Sequence, residues 1–156
     1  MSGALLAAAP WGELALRLAV ACLVGGAIGW DRERSDKPAG LRTHMLVALG
    51  AASFAILGLA VATDLGAAAD PTRVVQGIVG GVGFMGAGAI IQTRGRVSGI
   101  TTAASVWIAG SLGAAAGAGA YPLVGLTVVF AFVILTGIGQ LERRIKARRR
   151  RDQRPT

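Results

Sequence analysis

The chain has 156 residues, of which 53% are hydrophobic and only 15% charged, and its mean hydropathy is +0.60. This composition is too apolar for an ordinary soluble domain and indicates a membrane protein, while the length suits one compact domain. The net charge of +8 does not indicate a nucleic-acid partner, because most of the excess lies in the tail at 143–154, where membrane topology explains it. The single cysteine, Cys22, excludes an internal disulfide and a thiolate metal cluster.

Five apolar segments follow one another along the chain and predict an all-α, polytopic membrane fold. Each has roughly 17 to 20 residues, which lets a helix cross a hydrocarbon core of about 30 Å. The segments cover residues 14–30, 43–62, 74–91, 101–118 and 122–141. We therefore expect a five-helix transmembrane domain over residues 1–141, followed by a polybasic cytoplasmic tail over 142–156 that is disordered.

The first segment contains Arg17, which lies near one end and can reach the lipid headgroups. A cleaved signal peptide is disfavoured, because residues 1–13 lack a basic region and no small-x-small cleavage site precedes the charges at 31–37. The chain is therefore expected to begin with a true membrane helix.

Basic residues between the segments predict the orientation. The connections after the first and third segments and the tail are rich in them, at Arg32, Arg34, Lys37 and Arg42, at Arg94 and Arg96, and at 143–154. The connection after the second segment has only Arg73, against Asp64 and Asp70, and the one after the fourth has none. Because basic loops stay in the cytoplasm, the N-terminus is predicted outside and the C-terminus inside.

Glycine is concentrated in the third segment. The string Gly81-x-Gly83-x-x-Gly86 matches a dinucleotide fingerprint, but it lies inside a span rather than after a strand, so close helix packing is the favoured interpretation. The glycines expected to pack helices together are Gly25, Gly29, Gly77, Gly80, Gly81, Gly83, Gly86 and Gly88. We expect the third segment to be the central helix, with spare small-residue faces that would allow a homodimer.

Two short matches suggest an internal repeat. Gly26-Ala-Ile in the first segment resembles Gly88-Ala-Ile in the third, and G-L-R-T at 40–43 resembles G-I-T-T at 99–102. Both copies run in the same direction through the membrane, so they predict a parallel repeat of helices one and two with helices three and four. The fifth helix would not belong to the repeat.

Polar residues gather where segments two and four begin. This candidate cytoplasmic face comprises Asp31, Arg32, Glu33, Arg34, Arg42, Thr43, His44, Thr101 and Thr102. Thr43 and either Thr101 or Thr102 are predicted N-caps, and Asp31 and Glu33 are placed to pair with the helix ends or with Arg42. His44 is interpreted as a hydrogen-bonded interfacial residue rather than a metal ligand, although a pH-sensing role stays open.

Two interpretations of this face stay open: an ion-pair network that locks the helices together, and an ion or ligand site. Asp31 and Glu33 could ligate Mg²⁺, which favours carboxylates and water. The surrounding arginines would repel a divalent cation, so an anionic phosphate or lipid headgroup fits the charge better.

A second polar site is expected at the start of the third segment, where Asp70 and Pro71 predict a helix start. Arg73 and Gln76 lie one turn apart and partly within the membrane, where polar groups need partners. In one interpretation Arg73 extends to the lipid headgroups and Gln76 forms a hydrogen bond to another helix. In the other, both residues line a polar vestibule for an ion. At the other end of the chain, the polybasic tail is expected to attract anionic lipids.

Three blocks of sequence, in the same order, resemble the MgtC/SapB family. They are W-D-R-E-R-(x)3-P-A-G-L-R-T-H-M-L-V, then D-P-T-R-V-V-Q-G-I-V-G-G-V-G-F-M-G-A-G-A-I, then V-S-G-I-T-T-A-A-S-V-W-I-A. The resemblance implies a bacterial inner-membrane protein with about five helices, linked to magnesium homeostasis, to growth at low magnesium and, in pathogens, to virulence. Some members carry a soluble C-terminal domain, and the basic tail leads us to expect the short form without it.

No signature of an enzyme occurs in the sequence: it has no Ser/His/Asp set, no H-E-x-x-H and no phosphate-binding loop. The leading hypothesis is a non-enzymatic membrane protein that regulates a membrane partner under magnesium limitation. The alternative is a transporter or channel for Mg²⁺ or another ion. Neither hypothesis requires a resident cofactor.

Overall fold

The computed structural model describes residues 10–65, 70, 72–93, 96–140 and 145. Its helices are α1 (Trp11–Arg34), α2 (Leu41–Leu65), α3 (Thr72–Gly88), α4 (Ile100–Gly117) and α5 (Tyr121–Phe132), which continues as a π-helix over Val133–Ile138. A two-stranded antiparallel hairpin, β1 (Ile91–Thr93) and β2 (Arg96–Ser98), joins α3 to α4, with Ile91 opposite Ser98. The polybasic tail predicted over 142–156 lies outside the described residues, apart from Ile145.

Four stretches within these helices are long and apolar enough to cross a membrane: Trp11–Arg34, Leu41–Thr63, Ile100–Gly117 and Tyr121–Ile138. The remaining helix, α3, has 17 residues and a length of about 25 Å. The all-α polytopic membrane fold predicted from the sequence is therefore confirmed, with a small hairpin added between the third and fourth helices.

The bundle has two ends, which we name by their residues. The basic end is where α1 and α3 finish and α2 and α4 begin, and it carries Arg32, Arg34, Lys37 and Arg42. The Asp70 end is the opposite one. Two tight turns shape the basic end: Asp36 has a φ of 51°, and Gly99 has a φ of 88°. A side chain at Gly99 would collide with the carbonyl oxygen of Ala89, so the entry into α4 requires glycine.

The central helix is α4, which packs against α1, α2, α3 and α5. The expectation that the third segment is central is therefore wrong. The interior is divided into two clusters, and α2 and α4 contribute to both: Ala48 and Leu112 belong to the first, Val47 and Val106 to the second. Residues of α1 and α5 complete the first cluster, while α3 completes only the second.

Glycines let α4 approach its neighbours closely. A Cβ atom at Gly113 would collide with the carbonyl oxygen of Ala48, and one at Gly117 would lie 2.5 Å from that of Ala52. In α1, a Cβ at Gly25 would lie 2.6 Å from the carbonyl oxygen of His44, and one at Gly29 would lie 2.7 Å from the Cα of Leu41. Small residues thus bring the backbones of α1, α2 and α4 together, as they do in other membrane helices.

The glycines of α3 behave differently from our expectation. Only Gly86 approaches another helix, with its Cβ position 3.3 Å from the carbonyl oxygen of Ala103. The others meet open space within this chain, namely Gly77, Gly80, Gly81, Gly83 and Gly88. The reason is that α3 turns the stripe Ile78, Val82 and Gly86 inward, and the remaining glycines lie on its other faces.

Equivalent contacts recur in the two helix pairs of the expected repeat. If Gly40 corresponds to Gly99, then His44 corresponds to Ala103. The amides of these two residues donate to Gly40 O and Gly99 O, at 3.2 and 2.8 Å. Their own carbonyls, in turn, are the ones approached by Gly25 of α1 and Gly86 of α3. The positions in α2 and α4 match, but the alignment of Gly26 with Gly88 pairs Gly25 with Ala87 rather than with Gly86. The two helix pairs therefore make similar contacts one residue out of register, and the parallel repeat stays a prediction.

Candidate functional site

The connection from α1 to α2 is held by Glu33. Its Oε2 accepts a hydrogen bond of 2.7 Å from the backbone amide of Leu41, the first residue of α2. A carboxylate at a helix N-terminus satisfies an otherwise unpaired N–H and is favoured by the helix dipole. A Cβ at Gly40 would lie 2.6 Å from this carboxylate oxygen, so the contact also depends on glycine before the helix.

Asp31 pairs with its neighbour Arg32. The Arg32 Nε donates to Asp31 Oδ2 at 3.0 Å, and a terminal guanidinium nitrogen forms an ion pair with the same oxygen. Arg32 is only 4% exposed, although it lies in the last turn of α1. Both carboxylates that the sequence offered as metal ligands are thus engaged within the chain, one by a cation and one by a helix end.

The most deeply buried polar group of this site is His44, which is 0% exposed. Its Nδ1 donates to the carbonyl of Gly40 at 2.9 Å, since a carbonyl can only accept. Its Nε2 lies 3.0 Å from the Oγ of Ser105 on α4, and that hydroxyl lies 2.8 Å from the carbonyl of Thr102. A hydrogen-bonded chain therefore crosses from α2 to α4 inside the bundle.

Ser105 was missed by sequence reasoning. It lies on the stripe of α4 that also contains Thr102, Val106 and Ala109, all of them buried. A serine within a buried apolar stripe needs a hydrogen-bond partner, and that signal could have indicated a link to a neighbouring helix. The partner itself could not be read from the sequence, because it lies 61 residues away.

The pair of Ser105 and His44 has the donor and acceptor types of a nucleophile and its base, with Gly40 O as the group that orients the ring. Ser105 is only 3% exposed and His44 is fully buried, so a substrate cannot reach the hydroxyl in this arrangement. The geometry instead suits a fixed structural link between α2 and α4.

The predicted N-caps at the basic end are wrong. The second helix begins at Leu41 and is capped by Glu33, so Thr43 lies inside its first turn and is exposed. The N-cap of α4 is Gly99, which leaves Thr101 exposed within the helix and Thr102 buried. Arg34 and Arg42 are also exposed at this end, so the structure leaves a basic outer surface above a buried polar interior.

The second candidate site is not assembled in the part of the chain that the structure describes. Arg73 and Gln76 are both exposed on α3, at the Asp70 end. Beside them, the carboxylate of Asp70 accepts hydrogen bonds from Thr72 Oγ1 at 2.6 Å and from Thr72 N at 2.9 Å. These bonds hold the pKa of Asp70 below its ordinary value, because they favour the ionised form.

Arg17, which was expected to reach toward the lipid headgroups, contacts a neighbouring helix. It donates a hydrogen bond of 2.8 Å to the carbonyl of Gly117, the last residue of α4, and pairs with Glu13. The last carbonyls of a helix have no partner within it, and a cation there is favoured by the helix dipole. Arg17 therefore ties the start of α1 to the end of α4.

Among the described residues, no three His, Cys, Asp or Glu side chains lie together in a way that could hold a metal ion. Three of the polar contacts join one helix to another: Glu33 to the start of α2, His44 to Ser105 of α4, and Arg17 to the end of α4. Of the face predicted from the sequence, the structure brings together Asp31 with Arg32, and His44 with the backbone of Thr102 through Ser105.

Comparisons with known proteins give several clear relatives. "Protein SrpB" of Synechococcus elongatus is 43% identical over 143 residues, which cover 85% of this chain and 79% of that protein. "Putative magnesium transporter YhiD" of Escherichia coli is 38% identical over 137 residues, which cover 85% of this chain and 64% of that protein. "Protein MgtC" of Brucella abortus is 40% identical over 125 residues, which cover 80% and 51%.

This chain thus spans less than two thirds of the length of YhiD and of the Brucella protein. No solved structure matches it significantly. The model of the MgtC family matches residues 18–144, which include all five helices apart from the first turns of α1. With this match, the relatives and the apolar helices, the chain is a multi-pass membrane protein that belongs to the MgtC family.

Proposed function

We propose that this chain is a non-enzymatic protein of the bacterial inner membrane that supports growth when magnesium is scarce, and that it acts by regulating a membrane partner. The link to magnesium comes from its relatives, since one is named a putative magnesium transporter and several are named MgtC. Regulation, rather than transport, is inferred from the contacts of the chain's own side chains.

The observation that carries the proposal is the engagement of the two carboxylates at the basic end. Asp31 is paired with Arg32, and Glu33 caps α2 at Leu41 N. A magnesium ion would have to displace a buried guanidinium from one and a helix N-terminus from the other, and both of these already stabilise the ionised carboxylate. Glu33 also joins the end of α1 to the start of α2, which suits a rigid scaffold that presents a surface.

The surface we assign to the partner is the exposed part of the basic end, which includes Arg34 and Thr43. We propose that it faces the cytoplasm, with the N-terminus outside, because the connections after α1 and α3 carry the basic residues. Its charge suits an acidic surface on the partner protein. The buried Ser105 and His44 pair supports the non-enzymatic part of the proposal.

The second candidate function is transport of Mg²⁺ or another ion, which the printed name of YhiD favours. Here the exposed Arg73 and Gln76 at the Asp70 end would form part of an ion path. The two functions differ in which end of the molecule they need. The regulator depends on the basic outer surface, whereas the transporter depends on residues along the path through the membrane.

The test compares two exposed arginines at opposite ends. We expect Arg34→Glu to abolish growth at low magnesium in a bacterial strain that lacks its own MgtC-family protein, because it reverses a charge on the partner surface. Arg73→Glu, the matched control, should leave growth unchanged. Both variants should be present at the level of the parent protein, since neither arginine is buried.

Magnesium uptake into proteoliposomes is the second measurement. The proposal expects no uptake above that of protein-free vesicles. Uptake that is lost in Asp31→Asn or Arg73→Ala would establish the transporter instead and would reject the regulatory function.

A further inference from the structure

An apolar groove runs between α2 and α3 on the outside of the bundle, with a volume of about 460 Å³. Its walls are two stripes with four-residue spacing: Leu46, Gly50 and Phe54 on α2, and Gly77, Gly81 and Met85 on α3. The floor is open because no neighbouring atom lies within 4 Å of a Cβ placed at Gly50, Gly77 or Gly81. Helix α2 packs against α3 much less than against α1 or α4, and this separation together with the missing side chains creates the space.

A cation lies one turn beyond this groove, toward the basic end. Arg42 precedes Leu46 by four residues in α2, so the two share a face of the helix, and Arg42 is exposed. Within the described residues Arg42 makes no ion pair. It is also the second residue of a membrane-spanning stretch that begins at Leu41, which places its guanidinium at headgroup depth.

The connection before α2 adds to the positive charge on this side. Its Ala39 packs into the same cluster as Val47, Ile78 and Val82, so the connection folds toward α3. It carries the exposed Lys37 beside the exposed Asp36. Residues 31–42 carry four basic and three acidic side chains, so the net charge near the mouth of the groove is positive.

We propose that this groove is a binding site for an anionic phospholipid, with one acyl chain between the two glycine stripes and the phosphate on Arg42. The apolar walls suit an acyl chain, and the exposed Arg42 at the mouth favours a lipid over a helix from a second copy, because an apolar helix would leave this cation without a negative partner. The net charge at the mouth selects an anionic headgroup over a zwitterionic one, whose ammonium group it would repel.

The proposal is tested by native mass spectrometry of the full chain released from nanodiscs that contain equal amounts of phosphatidylglycerol and phosphatidylcholine. We expect one retained phosphatidylglycerol. Arg42→Gln should lower the preference for phosphatidylglycerol about fivefold, by the loss of one headgroup cation, and leave the total number of retained lipids unchanged. Arg34→Gln, at an exposed arginine on α1, is the control and should leave the preference as it is.

A second pair of variants tests the groove itself. Gly81→Leu fills the groove and should abolish retention of the lipid, whereas Gly83→Leu adds the same side chain on a part of α3 outside the groove and should not. Both positions face open space, so both variants are expected to fold. Equal retention in the two variants would overturn the proposal. A dimer without lipid that Gly81→Leu dissociates would also overturn it, because the occupant would then be a second copy.

Discussion

Three buried polar side chains of the described residues, Arg32, His44 and Ser105, each have a specific partner. Within the described residues the buried polar set consists of Arg32, His44, Thr102 and Ser105, and all four lie toward the basic end. A polar group in an apolar interior costs free energy unless it is hydrogen-bonded. The partners of these buried groups therefore contribute more to stability than the partners of exposed polar groups do. The chain from Gly40 O through His44 to Ser105 and Thr102 O satisfies both ring nitrogens of His44 and the hydroxyl of Ser105.

We predict that Ser105→Ala destabilises the protein by about 1–3 kcal/mol, because it leaves the Nε2 of the buried His44 without a partner. Ser111→Ala, at an exposed serine of the same helix, is the matched control and should change little. Thermal unfolding in detergent, followed by circular dichroism, measures both. Equal unfolding temperatures for the two variants would show that the link between α2 and α4 contributes nothing.

His44 and Ser105 also show how far the sequence could be interpreted at this scale. His44 was predicted to be a hydrogen-bonded interfacial residue, and the structure shows the hydrogen bonds but buries the ring between helices. The N-caps at Thr43 and at Thr101 or Thr102 were predicted from residue type at the starts of the apolar segments. Instead, Glu33 caps α2 from the preceding turn, and Gly99, in a left-handed turn, precedes α4 without a side-chain cap. Turn geometry of this kind depends on tertiary contacts that no short motif encodes.

At the scale of helices, close packing depends on α4 rather than on the glycine-rich α3. Gly113 and Gly117 of α4 lie against the backbone of α2, and neither site has room for a methyl group. In a membrane, packing replaces the hydrophobic effect as the force between helices, so a lost backbone contact is not regained by burial elsewhere. The helices α2 and α4 should therefore tolerate substitution at their interface poorly.

We predict opposite effects for two Gly→Ala substitutions. Gly113→Ala forces α2 and α4 apart and should cost about 3 kcal/mol, whereas Gly80→Ala meets open space and should be neutral or slightly stabilising, because alanine is the better helix former. Gly86→Ala, with a Cβ position 3.3 Å from Ala103 O, should lie between them. Unfolding by sodium dodecyl sulfate gives the order, and a Gly80→Ala variant as unstable as Gly113→Ala would contradict it.

The composition of α3 indicated close packing but could not indicate which face of the helix is packed. Glycines at four-residue spacing occur on several faces of this helix, and each face is equally suited to a neighbour. The inward face is decided by its bulky residues, Ile78 and Val82, which fill the space beside Val106 and Ala109. Which apolar stripe a helix buries is a property of the neighbouring helices, and so the sequence of α3 alone left it open.

At the scale of the whole molecule, the number and order of the helices followed from the apolar segments, because hydrocarbon tolerates few charges and the segment lengths match its thickness. The helices extend beyond those segments at the basic end, since α1 continues through Trp30 to Arg34. The third helix ends at Gly88 rather than at residue 91, and the paired strands β1 and β2 follow it. The family resemblance over the same blocks was confirmed by the match over residues 18–144.

The proposed orientation gives the last prediction, which uses two exposed positions at opposite ends of the bundle. In a Cys22→Ala background, Ala118→Cys in the turn after α4 should react with a membrane-impermeant maleimide added to intact spheroplasts. Lys37→Cys at the basic end should react only after the membrane is permeabilised, because the positive connections are retained in the cytoplasm. The reverse pattern would place the basic end outside, away from any cytoplasmic partner and from the anionic lipids of the inner leaflet.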